Sequence, residues 1–161
     1  MRHVVLLACG EPMRGDDALA LAVLDALPAT TRAMVEIRPV GQLMPDDLHA
    51  IDGAVIVLDA VEGPPAGTVI DLPLSALSEA YDRGISPASS HALPLPVTLG
   101  IVERLPGGMP DGRFLGVAAA DYTLGAPLSP SVQEAVPDCA ARVNHWVRAL
   151  VHEAKPSHVP D

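Results

Sequence analysis

The chain has 161 residues, with 20 acidic side chains against 10 basic ones and a net charge of −10. Hydrophobic residues make up 49% of it and the mean hydropathy is +0.31. So few cations, with Lys155 the only lysine, exclude a nucleic-acid binder or a protein held to anionic lipid. No stretch approaches the roughly 20 apolar residues of a membrane span.

The apolar run before Cys9, Val4 to Ala8, is shorter than the roughly 7–15 residues of a secretion leader. A soluble, cytoplasmic protein is expected, with one domain over residues 1–155 and a frayed tail over 156–161. Cys9 and Cys139 read as small buried hydrophobes of a reducing compartment rather than as a disulfide framework.

In chain order, His3 to Cys9 (HVVLLAC) reads as a strand buried on both faces. Asp16 to Leu27 reads as a helix with Leu19, Ala20, Val23, Leu24 and Leu27 on one face. Between them lies Gly10-Glu11-Pro12-Met13-Arg14-Gly15-Asp16-Asp17, at the carboxyl end of a strand, where an open α/β sheet keeps its chemistry. A turn at Pro28–Thr31 leads to a second strand over Met34–Val40, where Pro39 favours an edge position. Met44 to Ile51 reads as a short helix.

Gly53 to Leu58 (GAVIVL) is apolar throughout, reads as the central strand, and ends on Asp59. A Pro/Gly-rich connection then leads to Thr68–Leu72, whose short link favours an antiparallel edge. Ser75–Tyr81 suits one or two helical turns, and the loop Gly84–Ser90 delivers His91. Pro94 to Leu105 reads as a helix, Arg113 to Ala120 as the last strand, closing on Asp121, and Ser129 to Glu153 as a final helix kinked at Pro137. The expectation is a single three-layer α/β/α domain with a twisted, mostly parallel sheet of about five strands.

Asp17, Asp59 and His91 all fall beyond strands or in adjoining loops. Two carboxylates and an imidazole suit a borderline divalent metal and leave positions open for substrate or water. Asp16, in the first turn of its helix, reads as a capping acid. Glu62 and Asp121 read as loop acids that support the site at most, and the remaining histidines carry little signal.

Gly10 and Gly15 have P-loop spacing, but Asp16-Asp17 stands where Lys-Ser/Thr belongs and would repel a triphosphate. A phospho-receiver domain needs a lysine after its last strand, where this chain reads Ala118-Ala119-Ala120-Asp121. A magnesium-dependent phosphohydrolase remains as an alternative on the same acids.

Taken together, Gly10…Asp16-Asp17, Val55–Val69 (VIVLDAVEGPPAGTV) and Ser89-Ser90-His91-Ala92-Leu93-Pro94-Leu95 resemble the [NiFe]-hydrogenase maturation endopeptidases. The resemblance implies a protease that removes the C-terminal extension of a hydrogenase large-subunit precursor after nickel insertion. It implies that Asp17, Asp59 and His91 contact nickel that arrives with the substrate. A non-catalytic binder of the large subunit is the remaining alternative. The chain departs from the family pattern at Glu11, where Asn is usual, and at Ala18, where Gly is usual. It departs again at Pro39-Val40-Gly41-Gln42, in place of Asp-Gly-Gly-Thr, a segment that the family uses to read its substrate.

Overall fold

The computed structural model describes residues 1–153; the tail expected from residue 156 onward lies outside them. Strands β1 (Val4–Cys9), β2 (Glu36–Val40), β3 (Ala54–Glu62), β4 (Val69–Pro73), β5 (Ser86–Pro87) and β6 (Asp111–Ala118) form one sheet. Its order is β2-β1-β3-β6-β4, with β5 paired to β3. The β1–β2, β1–β3 and β3–β6 pairings are parallel, whereas β4 runs antiparallel to β6 at the edge. Both edge expectations are met: the short link before β4 gives an antiparallel strand, and Pro39 sits on edge strand β2.

Helices α1 (Leu19–Ala26), α2 (Ala29–Arg32), α3 (Pro45–Leu48), α4 (Leu77–Asp82), α5 (Leu95–Arg104) and α6 (Pro130–His152) cover the two faces. Alternate residues of β1 divide between two apolar layers. Val4, Leu6 and Ala8 join α1 and α6 in one, and Val5, Leu7 and Cys9 join α3, α4 and α5 in the other. β1 and β3 are therefore buried on both sides, as an apolar run without alternation requires. Both cysteines are free and buried.

Several boundaries differ from the sequence reading. The acidic pair opens no α-helix: Gly15–Ala18 is a 3-10 turn, and the α-helix begins at Leu19. Pro28–Thr31 is the entry to a four-residue helix, α2. The central strand does not stop before Asp59 but continues to Glu62, because β6 and β5 offer it partners there. α6 runs through Pro137 as one helix. Among the described residues no helix is long and apolar enough to cross a membrane.

Sheet order fixes where chemistry can sit. From β1 the chain steps outward to β2 and then crosses to β3 on the other side. The carboxyl ends of β1 and β3 therefore flank the point where winding reverses, which opens a crevice in such sheets.

Candidate active site

Three stretches meet at that crevice: the loop after β1, the far half of β3, and the loop from β5 to α5. An open cleft of about 480 Å³ is lined by Glu11, Arg14, Asp17, Gln42, Ala88, His91 and Tyr122. Asp17 and His91 thus share one cavity, although 74 positions apart in sequence (91 − 17). Asp59 is fully buried and does not line the cleft, yet its charge and that of Asp17 act on each other.

The loop after β1 is built around Asp17. Its Oδ2 accepts the N–H of Glu11 at 2.8 Å, while its Oδ1 is buried without a hydrogen-bond partner among the described residues. Gly10, at φ +113°, makes this fold-back possible, since a Cβ there would lie 2.2 Å from the Asp17 carbonyl oxygen. Burial raises the Asp17 carboxyl above its ordinary range; the Glu11 N–H lowers it, and the Glu11 charge raises it again.

Asp59 projects from β3 toward the β5–α5 loop. Its Oδ2 accepts both the N–H and the hydroxyl of Ser89, and its Oδ1 is a second buried carboxylate oxygen without a partner among the described residues. Burial pushes this carboxyl up to about 7, against the two bonds from Ser89. An orphaned buried oxygen is costly unless a ligand, ion or water satisfies it. Among the described residues, Asp17 and Asp59 each keep one such oxygen.

His91 is exposed. Its Nε2 stands 3.3 Å from Glu62 Oε1, and the N–H groups of His91 and Ala92 both donate to Gln42 Oε1 at 3.1 Å. Glu62, read from the sequence as a loop acid that supports the site at most, stands against the imidazole. Among the described residues no three His, Cys, Asp or Glu side chains form a ready-made metal cage.

Asp16 departs from the role read for it. It caps no helix of its own; its carboxylate accepts the N–H groups of Ala120, Asp121 and Ser129 and the Ser129 hydroxyl. It ties the loop after β1 to the loop between β6 and α6. Burial opposes its charge, but the bonds from Ser129, Ala120 and Asp121 prevail and hold the carboxyl below its ordinary range. Asp121 itself closes a local turn on Thr123. His3, which had no visible partner in the sequence, bonds the Asp52 carbonyl and Glu36. His145 packs edge-on against Trp146.

Gln42, Ser89 and Tyr122 escaped the sequence reading. Ser89 precedes a candidate histidine by two positions, which is a weak cue. Gln42 lies in the segment that departs from the family pattern, and nothing local marks Tyr122. Its hydroxyl is buried next to Glu62; burial and the charges of Glu62, Asp59 and Asp17 keep its proton on.

No family model and no curated protein matches the sequence. Solved structures do match. The hydrogenase maturating endopeptidase HybD from E. coli superposes with a TM-score of 0.71 at 21% identity, over 91% of this chain and 93% of that one. The [NiFe] hydrogenase maturation protease HybD from Thermococcus kodakarensis gives 0.63 at 21%, over 86% and 95%. The hydrogenase 2 maturation peptidase from a Thaumarchaeota archaeon gives 0.56 at 24%, over 92% and 98%. The chain has the fold of the hydrogenase maturation proteases. The fold that the resemblance implied is met across nearly the whole length of these proteins.

Proposed function

We propose that this protein is an endopeptidase that removes the C-terminal extension from a [NiFe]-hydrogenase large-subunit precursor after nickel insertion. The observation that carries the reading is that Asp17 and His91 line one cleft at the winding reversal, with Asp59 buried and near enough to feel the Asp17 charge. Each carboxylate keeps a buried oxygen without a hydrogen-bond partner among the described residues. The shared fold supports the same reading, since the solved structures named above are maturation proteases.

Nickel belongs to the precursor and enters with it. Asp17, Asp59 and His91 are the side chains proposed to recognise it, with two oxygen donors and one nitrogen donor, a mixture suited to a borderline divalent ion. A set held apart from a closed cage leaves selectivity to the loaded substrate, so an unloaded precursor is released uncut. Recognition places the scissile peptide bond in the cleft, and the gain from such placement is a large part of any hydrolytic rate. Hydrolysis adds water across that bond and frees the extension.

Co-expression with a C-terminally extended, nickel-loaded large subunit tests the proposal, with the mass of the large subunit as readout. Loss of the extension with the wild type, but not with Asp17→Asn or His91→Ala, supports the protease. A stable complex without shortening means a binding protein instead. Turnover of a phosphate ester with magnesium, without proteolysis, means a phosphohydrolase.

A further inference from the structure

His91 is exposed and sits in the irregular segment ahead of α5, so its own neighbours do little to fix it. Its ring stands against Glu62 of β3, and its backbone is held by the segment after β2. Gln42 Oε1 accepts the N–H groups of both His91 and Ala92 at 3.1 Å. One residue on, the Leu43 N–H donates to the Ser89 carbonyl at 2.9 Å. Ser89 in turn holds Asp59. On the near side, the Gly10 N–H donates to the Val40 carbonyl at 2.8 Å, which anchors the same short segment to the loop carrying Asp17. Residues 40–43 are therefore a strap between the loop that presents Asp17 and the loop that presents His91.

We infer that Gln42 is a positioning residue that sets the His91 imidazole over the cleft by gripping two successive backbone N–H groups. The inference rests on the protease reading for its consequence, and on the geometry alone for the grip. A single amide oxygen receiving two adjacent N–H groups fixes direction as well as distance, which a solvated loop does not achieve by itself. Gln42 also lines the cleft, so the element that orients the imidazole lies where the substrate lands.

The test uses the full chain, with Gln42→Met, which keeps length and removes the acceptor, and Gln42→Glu, which keeps an acceptor. Amide hydrogen exchange is read residue by residue, and precursor cleavage is measured beside it. Loss of the grip is expected to speed exchange at His91 and Ala92 by about tenfold in Gln42→Met, with β3 amides unchanged and protection retained in Gln42→Glu. Cleavage by Gln42→Met is expected to fall by about tenfold in kcat with KM nearly unchanged.

Unchanged exchange at His91 and Ala92 in Gln42→Met overturns the inference. So does cleavage at or above the wild-type rate, which would mean that Gln42 occupies a donor pair the substrate itself needs. If the wild type cleaves no precursor, the protease reading fails, and the exchange data still decide the grip.

Discussion

Ser89 donates twice to one carboxylate oxygen of Asp59, from its backbone N–H and from its hydroxyl, and leaves the other oxygen of Asp59 buried and unpaired. Ser89→Ala keeps the backbone bond and removes the second, so the Asp59 carboxyl is expected to move further above its ordinary range. Stability is expected to fall by about 1 kcal/mol, measured by urea unfolding near pH 5. Precursor cleavage at pH 7 is expected to fall with it.

Asp59→Asn is expected to separate stability from activity. Burial raises the Asp59 carboxyl to about 7, so between about pH 4 and pH 7 the native protein holds a proton that the unfolded chain releases. Asp59 therefore costs the fold progressively more as pH rises through that window. At pH 8 the asparagine variant is expected to be the more stable of the two, with the advantage fading toward pH 4, while cleavage is abolished. Thermal unfolding at the two pH values checks the first part.

Asp16 has the opposite sign. Its carboxyl lies below the ordinary range in the fold, so the stability it contributes is complete above the unfolded value and is lost as pH falls through the native one. Asp16→Ala strands the N–H groups of Ala120, Asp121 and Ser129 and is expected to cost about 3 kcal/mol at pH 7. The acid-unfolding curve of the variant is expected to be shallower below about pH 4.

Gly10→Ala tests the loop that presents Asp17. The new Cβ would meet the Asp17 carbonyl oxygen at 2.2 Å and Oδ1 at 2.8 Å, at a φ of +113°. A loss of about 2–3 kcal/mol is expected from strain and displacement, read by chemical denaturation, together with loss of precursor cleavage. Ala at the open position Gly100, where a Cβ meets nothing within 4 Å, serves as the control.

The sheet was legible because burial on both faces leaves an unbroken apolar run, and β1 and β3 are such runs. Pro39 and the short Pro/Gly link marked the two edges for reasons equally local. The lip of the sheet was legible in the same way, since an acid just past a buried strand stands out against its neighbours. Boundaries were less so. The continuation of β3 beyond Asp59 depends on β5 and β6 arriving alongside, and no property of Ala60-Val61-Glu62 announces them.

Composition and periodicity alone determined the alternation of strands and helices, and the residue types available at the sheet's carboxyl edge. Only the tertiary structure decided their partners. Gln42 grips a segment 49 positions away, Asp16 meets Ser129 across 113 positions, and Glu62 stands against the exposed His91 ring. Hydrophobic patterning is a property of neighbours along the chain. A hydrogen bond between distant side chains exists only once sheet order and loop path have brought donor and acceptor within reach.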